Sequence, residues 1–519
     1  MGAGGMGYLV ESVCAKSTPD VPQSSSRIRL STGPARKILM ADEIELKLEL
    51  SPSAAVAIEA SGLLPGGSTR ARQSSIYFDT PDHALDRAGV SLRIRKSEGK
   101  RVQTIKAAVA STAGLFARSE WERAVMDDIP VFDAATSLPN SLDDCIDTVA
   151  PIFEVAVDRR SWIIAEGDAT IEVVLDRGEV AAGDRQSSIC EIELELKSGA
   201  PSALFALARK LDAVAPVRLG VLTKAERGYR LAGPAPAMFK AEPVLLADGT
   251  APGRAFAIVA QSCIRQFRLN EALLLAEGSA GALHQARVAL RRLRSAFSIF
   301  RPIIGELGSA LAADLRWLAA ELGEARNLDV LLARTRPGSL HDHVALARDA
   351  AYRRVGEVLE MPRTRQLMLD LAEWIARAGW PGPAEEDLPA RAYAVAALDH
   401  CYRRARKRGR KLAGLDDADR HEARKAAKKL RYAAEFLGSL FVRKRDRRRY
   451  AEFIASLQAL QDQLGALNDL AMAALVLEKL GVAGDAEASR LTAEGQKKKL
   501  LRAAEAAHGQ LFDLKRFWR

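Results

Sequence analysis

The stretch Glu43-Ile-Glu-Leu-Lys-Leu-Glu-Leu50 alternates charged and apolar side chains along its whole length. Because successive side chains of a β-strand point to opposite faces, this alternation predicts a strand with one ionic face and one apolar face. Glu43, Glu45 and Lys47 share the ionic face. Such a strand needs an apolar core on one side and a reason for dense charge on the other.

The same signature recurs in four further segments, at residues 92–95, 104–106, 118–122 and 191–197. Two arrangements satisfy the pattern. The ionic faces can be solvated while the apolar faces cover one core, or the strands can close into a barrel with the ionic faces inside and helices outside. Repetition of the signature favours the barrel. Helices are predicted over residues 52–61 and 202–213.

An interior that holds arginine, lysine and glutamate together needs compensation, because buried unpaired charge is costly. A polyanion with its metal ion would supply that compensation. Arginine and lysine bind phosphate oxygens, and carboxylates hold Mg²⁺ or Mn²⁺, which prefer oxygen ligands. A metal at such a site neutralises phosphate charge and orients a water.

An ordered set of motifs extends this pattern over residues 43–228. After Glu43-Ile-Glu-Leu-Lys47 come Tyr77-Phe-Asp-Thr80, Leu92-Arg-Ile-Arg95, Thr104-Ile-Lys106, Arg118-Ser-Glu-Trp-Glu122, Arg159 before Trp162, Asp176-Arg-Gly-Glu179, Glu191-Ile-Glu-Leu-Glu195 and Thr223-Lys-Ala-Glu-Arg-Gly228. The set resembles the CYTH superfamily, the triphosphate tunnel metalloenzymes, whose signature is ExExK. The resemblance implies an α+β domain over residues 40–235, an eight-stranded antiparallel β tunnel with flanking helices. It also implies metal-dependent hydrolysis of triphosphate compounds.

The resemblance also implies roles for particular residues. The catalytic set would be Glu43, Glu45 and Lys47. The metal would be held by Glu43, Glu45, Glu191 and Glu193, with Asp176 and Glu179 as further candidates. The phosphates would be bound by Lys47, Arg93, Arg95, Lys106, Arg118, Arg159 and Lys224.

Beyond a linker at residues 236–253, strand patterns give way to helical periodicity. The segment His284-Gln-Ala-Arg-Val-Ala-Leu-Arg-Arg-Leu-Arg294 is repeated, with changes, as His421-Glu-Ala-Arg-Lys-Ala-Ala-Lys-Lys-Leu-Arg431. A second pair, starting at Leu322-Gly and Leu464-Gly, follows at similar spacing. These repeats predict an all-α region of two pseudo-symmetric helical bundles, about 254–380 and 390–519, divided by a proline-rich break near residues 381–389.

Each repeat places a histidine and several cations on one helical stripe. The candidate residues are His284, Arg287, Arg291 and Arg294 in the first repeat, and His421, Arg424, Lys425, Lys428 and Arg431 in the second. A solvated basic face is one interpretation. Because like charges at helical spacing repel one another, an anion that compensates them is the other. The histidines can bind phosphate or can be core residues that backbone groups satisfy.

The twin histidine-led helices and the Leu-Gly segments resemble the CHAD domain, a helical domain named for its histidines. The resemblance covers residues 254–519, and the partner it implies is inorganic polyphosphate. The two repeats differ at Arg326 and Asp329, which Asn468 and Ala471 replace. The two halves are therefore expected to contribute unequally to binding.

Composition and charge set further limits. Of the net charge of +10, residues 40–235 carry −7 (23 Lys+Arg against 30 Asp+Glu), residues 236–519 carry +14 and residues 1–39 carry +3. The sequence contains no apolar run of about 18 residues, so it predicts no membrane span. Five scattered cysteines exclude a zinc cluster or disulfide framework and fit a reducing cytoplasm. Residues 1–39 lack a secretory pattern and are expected to be a disordered tail or to precede a true start at Met40.

The sequence thus predicts a cytoplasmic enzyme that hydrolyses inorganic triphosphate with Mg²⁺ or Mn²⁺ and binds polyphosphate on its helical domain. Three alternatives stay open: a thiamine or nucleoside triphosphatase or an adenylate cyclase, a non-catalytic polyphosphate-binding or granule-associated protein, and a nucleic-acid binder. The basic runs 403–411 and 443–449 suit the last. The lack of zinc-finger, RRM or OB signatures and the few aromatic residues argue against it.

Overall fold

The computed structural model describes residues 43–107, 114–133, 136, 146–306, 308–377, 389–492 and 494–519. The side chains of residues 43, 107, 117–120 and 494 are outside this description. The predicted tail at residues 1–39 therefore lies outside the described residues, as do nearly all of the predicted proline-rich break and two of the five cysteines, Cys14 and Cys145.

The first domain is a sheet with four helices. Its strands are β1 (Glu43–Leu50), β2 (Thr69–Asp79), β3 (Val90–Ser97), β4 (Lys100–Ala107), β5 (Leu115–Val125), β6 (Ala150–Glu166), β7 (Ala169–Ala182), β8 (Arg185–Ser198) and β9 (Val217–Leu219). Its helices are α1 (Pro52–Ala60), α2 (Ala84–Arg87), α3 (Ser202–Val214) and α4 (Lys224–Ala232). The helices predicted over residues 52–61 and 202–213 are confirmed as α1 and α3.

The sheet closes on itself through β1. Its first half pairs with β5, from Glu43 opposite Arg118 to Leu46 opposite Leu115, and its middle pairs with β8, from Glu45 opposite Glu195 to Glu49 opposite Glu191. The remaining neighbours run β5-β4-β3-β2-β6-β7-β8, all antiparallel, so eight strands form a closed ring. In a closed ring each strand has a hydrogen-bonded neighbour on both sides, so unpaired backbone groups remain only near the strand ends.

Among the described residues the sheet contains nine strands, because one strand outside the closed ring adds to the predicted eight. β9 pairs with the end of β1, with Leu48 opposite Leu219 and Leu50 opposite Val217. Three residues are too few to show a period of two, which is why the sequence pattern did not reveal this strand.

The alternation in β1 works as predicted. Leu46 and Leu48 are fully buried on the outside of the ring, where they pack in one core with Leu204 and Phe205 of α3. Lys47 points the other way, into the tunnel cavity. The apolar outer face is therefore covered by helices, and the ionic faces are inside.

One end of the tunnel is filled by α4. Its Ala225 and Tyr229 pack against Phe153, Val155 and Val180, which lie on the same strand faces as the charged lining further along. Gly228 allows this approach, because a Cβ at that position would lie 2.0 Å from the Phe153 ring. The tunnel is thus apolar and packed at one end and ionic in its middle.

The second domain is entirely helical in the described residues. Its helices are α5 (Pro252–Glu277), α6 (Ala280–Ile299), α7 (Arg301–Ile304), α8 (Ser309–Glu321), α9 (Gly323–Leu332), α10 (Ser339–Glu360), α11 (Pro362–Arg377), α12 (Ala390–Arg408), α13 (Asp417–Leu437), α14 (Lys444–Lys479), α15 (Ala486–Leu491) and α16 (Glu494–Asp513). The two histidine-led helices, α6 and α13, contact each other. The predicted pseudo-symmetry of two bundles stays a prediction.

The two domains share one continuous apolar core, which runs from β1 and α3 into α5 and α11. A buried ion pair between Arg365 of α11 and Asp212 of α3, 2.5 Å from Nε to Oδ1, adds to this contact. Among the described residues, no helix is both long and apolar enough to cross a membrane.

Candidate active site and cationic groove

The tunnel encloses a cavity of about 290 Å³ whose walls carry both signs of charge. Eight of the residues that the sequence predicts for this site line it: Glu45, Lys47, Arg93, Arg95, Lys106, Arg159, Glu193 and Lys224. They come from five strands and the first turn of α4. The period of two along each strand is sufficient to bring them together in a closed sheet.

A cluster of carboxylates and lysines lies at one wall of the cavity, which Lys47, Lys224 and Glu193 line and Asp176 and Glu191 do not. The Lys224 Nζ lies 2.5 Å from Glu191, 2.7 Å from Asp176 and 2.9 Å from Glu193. The Lys47 Nζ lies 3.2 Å from Glu191 and also contacts Glu193. Glu191 and Asp176 are fully buried, so this cluster is a desolvated network in which each charge depends on its neighbours.

Burial and pairing act in opposite directions on these groups, and pairing prevails. Burial alone would lower the pKa of Lys47, but Glu191 and Glu193 hold that pKa well above its usual value. Burial would raise the pKa of Glu193, whereas Lys224 and Lys47 keep it well below the usual value. All these groups are therefore charged near neutral pH.

The cluster has the ligands that a divalent metal ion requires. One carboxylate oxygen from each of Asp176, Glu191 and Glu193 lies within 4.8 Å of the others. The Oε2 atom of Glu191 is buried and lacks a hydrogen-bond partner among the described residues. A buried carboxylate oxygen with no donor is suited to an ion, and an all-oxygen donor set suits Mg²⁺ or Mn²⁺.

The placement of the other predicted metal ligands is mixed. Glu45 lines the cavity and lies 3.3 Å from the Lys47 Nζ, beside the cluster but not within it. Glu179 is exposed on the outer face, since it is an odd number of residues from Asp176 along β7. The Glu43 side chain lies outside the described residues, although its backbone pairs with Arg118.

Two arginines on β3 form a contrasting wall. The Nε atoms of Arg93 and Arg95 are buried without a hydrogen-bond partner in the described part of the chain. Burial, together with Arg93 and Arg159, lowers the pKa of Arg95 to about 9. Each of these guanidinium groups thus keeps a buried N–H without an acceptor among the described residues, and an anion in the cavity would provide one.

Arg159 connects the two walls. Its Nε donates to Asp176 at 2.8 Å and its Nη2 donates to Glu193 at 3.1 Å. Lys106 lines the same cavity. The Arg118 side chain is outside the described residues, so its predicted role in phosphate binding stays a prediction.

Several lining residues were not predicted. Glu172 shares a face of β7 with Asp176, and a period of two extended back from Asp176 would have found it. Thr223 caps α4, its hydroxyl accepting from the Glu226 backbone at 3.1 Å. The Thr-x-x-Glu spacing was a usable sign of a helix start. The other lining residues without a predicted role are Tyr77, Ser91, Phe116, Glu122, Val174, Glu195 and Ala225. Tyr77, Glu122 and Glu195 stand in the motifs quoted for the family resemblance, which was the available signal for them.

The second site is a groove of about 1040 Å³ in the helical domain. The predicted residues that line it are His284 and Arg291 of α6, and Arg424, Lys428 and Arg431 of α13. The two stripes, 137 residues apart in sequence, therefore face a common space. We call this space the cationic groove.

Charge around Lys428 and His284 is poorly compensated, although Glu242, Glu435 and Asp462 also line the groove and Glu435 pairs with Arg292 and Arg431. Burial, with Arg291 and Arg424, lowers the pKa of Lys428 to about 6. Burial, with Arg326 and Arg291, lowers the pKa of His284 to about 4. The Nε atoms of Arg291 and Arg424 are buried and lack a hydrogen-bond partner within the described ranges. Each of these positive charges disfavours the charged form of its neighbours, as Arg93 does for Arg95 on β3.

The other predicted groove residues are placed differently. Arg287 donates to the Ala319 carbonyl at 2.9 Å, and its pKa is lowered to about 10 by burial and then by Arg291. Arg294 does not line the groove, and burial followed by Arg316 lowers its pKa. Lys425 is exposed and pairs with Glu422.

The two histidines are not equivalent. His421 is exposed, and its Nδ1 lies 3.1 Å from Oδ1 of Asn468. His284 is half-buried and faces Arg326, the residue that Asn468 replaces in the second repeat. The predicted inequality of the two halves therefore has a counterpart in the surroundings of the histidines.

Comparison with known proteins agrees with this two-part architecture. The family model described as CYTH domain matches residues 41–229, and the one described as CHAD domain matches residues 258–478. An inorganic triphosphatase of Haemophilus influenzae is 31% identical over 204 residues, which cover 37% of this chain and 56% of that relative. The match thus spans a little over half of the relative's length.

Other similar proteins extend across the second domain. An uncharacterized protein of Mycobacterium tuberculosis is 28% identical over 420 residues, covering 70% of this chain and 76% of its own. The crystal structure of the CHAD domain from the plant Ricinus communis is 30% identical, with a TM-score of 0.47, and the match covers 54% of this chain and 97% of that one. The chain therefore belongs to the CYTH family through residues 41–229 and to the CHAD family through residues 258–478.

Proposed function

We propose that the tunnel hydrolyses a phosphoanhydride bond of inorganic triphosphate with the help of Mg²⁺ or Mn²⁺. The observation that carries the proposal is one cavity that joins two kinds of charge. The buried Nε atoms of Arg93 and Arg95 lack an acceptor among the described residues, and Glu193, which also lines the cavity, forms a carboxylate cluster with Asp176 and Glu191. Phosphoryl transfer requires both: cations to bind the phosphate oxygens, and carboxylates to hold a metal and orient a water.

The residues of the chain would divide this work. Arg93, Arg95 and Lys106 would bind the phosphate oxygens, and Arg159 would hold the triphosphate against the carboxylate wall. Asp176, Glu191 and Glu193 would hold the divalent ion, which when bound supplies charge neutralisation and lowers the pKa of a water. Lys47 and Lys224 would keep these carboxylates ionised.

The cavity favours a small inorganic substrate over a nucleotide. Its volume of about 290 Å³ is small, and its lining is mainly charged. A base or a thiamine ring would need an apolar or aromatic surface. The described lining offers only two aromatic residues for this, Tyr77 and Phe116, among mainly charged side chains. The named activity of the Haemophilus influenzae relative supports the same substrate class.

We further propose that the cationic groove binds inorganic polyphosphate. The Nε atoms of Arg291 and Arg424 are buried without a partner in the described residues, and burial together with these two arginines lowers the pKa of Lys428 to about 6. A chain of phosphates would compensate these charges without needing base-stacking surfaces. Tethering such a groove to the tunnel would raise the local concentration of substrate.

Phosphate release by the purified protein tests both proposals. The substrates are inorganic triphosphate, ATP, thiamine triphosphate and long-chain polyphosphate, each with Mg²⁺, Mn²⁺ or EDTA. We expect metal-dependent release that is fastest from inorganic triphosphate. Faster release from an organic triphosphate would reject the substrate assignment. No release from any substrate, with tight binding of polyphosphate, would reject the enzyme and leave a binding protein.

A further inference from the structure

Buried charge joins the helical domain to the tunnel. Arg265 and Arg268 of α5 project toward the first domain, and they are only 4% and 3% exposed. A buried guanidinium group is stable only when acceptors surround it. Besides Glu242 and Glu271, the acceptors of these two arginines belong to β1, to α4 and to the segment 219–221 that leads into α4.

Arg268 contacts β9 and β1 together. Its Nε donates to the Leu219 carbonyl at 2.9 Å, and its Nη2 lies 3.4 Å from Oε2 of Glu49. Glu271 of the same helix also pairs with it. Arg268 therefore fixes the strand that leads into α4 relative to the strand that carries Lys47.

From Glu49, alternating charges continue into the tunnel. Arg227 donates to Oε1 of Glu49 at 2.5 Å, and the same Nη2 atom lies 3.7 Å from Oε2 of Glu191. Glu191 in turn lies 2.5 Å from the Lys224 Nζ. The series Arg268, Glu49, Arg227, Glu191 and Lys224 thus runs from the helical domain to the carboxylate cluster.

Arg265 holds the start of α4. Its Nη1 donates to the Val221 carbonyl, and its Nη2 donates to Oε1 of Glu226 at 2.6 Å. The other oxygen of Glu226 accepts from the Thr223 backbone at 2.8 Å, which completes the helix cap. Arg265 therefore stabilises the turn from which Thr223 and Lys224 enter the cavity.

The same turn also packs against Lys47. The Gly220 backbone N–H donates to the Lys47 carbonyl at 2.8 Å. A Cβ at Gly220 would lie 2.8 Å from the Lys47 side chain, so the backbone at Gly220 packs directly against Lys47. Movement of the 219–226 segment would consequently shift both lysines of the carboxylate cluster.

We infer that Arg265 and Arg268 are positioning residues for the tunnel reaction, so that the helical domain completes the site by holding residues 219–226 in place. The inference rests on the proposed triphosphatase function. The arginines act through Glu49, Glu226 and the Leu219 and Val221 carbonyls. They do not contact the phosphate-binding arginines of β3.

The substitution Arg268→Met tests this inference, because it keeps the length of the side chain and removes its charge and hydrogen bonds. We expect kcat for inorganic triphosphate to fall about tenfold while KM stays within about twofold, since the arginines of β3 are undisturbed. Arg268→Lys should recover part of the loss by restoring a positive charge beside Glu49. Hydrogen–deuterium exchange should become faster in residues 219–226 of Arg268→Met.

Arg209→Ala is the matched control. Arg209 of α3 pairs with Asp370 at 2.6 Å and with Glu373 of α11, so it also joins the two domains, but away from the tunnel. Its loss should leave kcat and the exchange of residues 219–226 unchanged. An equal fall of kcat in Arg209→Ala would overturn the inference, because any loosening between the domains would then suffice.

A milder substitution keeps the test open if Arg268→Met does not fold. Glu226→Gln preserves the helix cap and weakens only the ionic bond to Arg265, so kcat should fall about threefold and exchange should rise. Unchanged exchange and unchanged kcat in the folded variants would reject the inference. The exchange measurement needs no turnover: an inactive wild type with the expected exchange differences would reject the proposed function and keep the positioning role.

Discussion

The tunnel cavity and the cationic groove are both lined with arginine and lysine, but they differ in how that charge is compensated. In the tunnel, carboxylates surround Lys47 and Lys224, and the pKa of each lysine is raised although burial opposes this. In the groove, Lys428 has arginines as its main neighbours, and its pKa is lowered to about 6 by burial and by Arg291 and Arg424. The pKa of lysine is thus raised in the tunnel and lowered in the groove.

The difference teaches what each site is built to accept. A network with both signs of charge can hold a metal ion together with an anion, and it orients groups for a reaction. Cations predominate in the groove lining, so the groove can bind a polyanion. Its acidic residues, Glu242, Glu435 and Asp462, do not form a carboxylate cluster like that of the tunnel in the described part of the chain. Chemistry is therefore expected in the tunnel and storage or capture of a ligand in the groove.

The largest expected effect is on turnover. Glu193→Gln removes one carboxylate of the metal-binding cluster while keeping its shape, so we expect phosphate release from inorganic triphosphate to fall about 1000-fold or more. Glu154→Gln, on an exposed position of β6, is the control and should be neutral. A Glu193→Gln enzyme with a normal metal-dependent rate would show that the carboxylate wall is only structural.

A pair of lysine substitutions sharpens the comparison through stability. Lys224→Met leaves three buried carboxylates without their common ammonium group, and we expect the free energy of unfolding to fall by ~3–5 kcal/mol at pH 7. Because its pKa is raised in the folded state, Lys224 contributes its full stabilisation below its unfolded pKa, near 10.5, so this loss is complete at neutral pH.

Lys428→Met should act in the opposite direction. Its folded pKa of about 6 lies below the unfolded value, so the lysine destabilises the fold at neutral pH and this cost disappears as pH rises toward 10.5. We expect the free energy of unfolding of the variant to rise by ~1 kcal/mol. This is less than the pKa shift alone would give, because the side chain is partly exposed and solvent screens its charge. Urea unfolding measures the change in the free energy of unfolding of both variants. A loss of stability in both would contradict the proposed difference between the tunnel and the groove.

A third prediction concerns two neighbouring cations of α13. Arg424 lines the groove, whereas Lys425 is exposed and paired with Glu422. Arg424→Ala should weaken polyphosphate binding about tenfold and lower the salt dependence of the affinity by about one unit. Lys425→Ala should change the affinity less than about twofold. Equal losses would show that the affinity depends on overall charge and not on the groove.

Much of the tunnel followed from alternation alone. The period of two in β1 and β8 placed Glu45, Lys47 and Glu193 on one inner face, and the structure brings them into one cavity. Asp176 was harder to assign, because its place in the cluster depends on pairing with Arg159 and Lys224 across separate elements. Such pairs are set by tertiary packing, which no local period encodes.

Other features were beyond sequence reasoning for definite reasons. β9 is too short to show a period. The entry of α4 into the tunnel depends on Gly228 lying against Phe153, a contact 75 residues away in sequence. The contact of Arg268 with Glu49 joins two domains whose relative placement no motif describes. The opposing stripes of α6 and α13 were predicted singly, but their common groove was not.

The smallest expected effect is a pH dependence that separates the two sites again. Burial, Arg291 and Arg424 lower the pKa of Lys428 in the groove to about 6, and Asp469 opposes this shift. A bound polyanion would raise that pKa, so binding takes up a fraction of a proton wherever the pH lies above 6. The affinity for polyphosphate should therefore fall as pH rises, by about threefold from roughly pH 6.5 to 7.5 for half a proton. Calorimetric titration in two buffers of different ionisation enthalpy measures the uptake. Lys428→Met, which cannot take up that proton, should bind with little change over this range. The opposite slope in wild type would contradict the depressed pKa, because it would require the groove to release protons when its charge is neutralised.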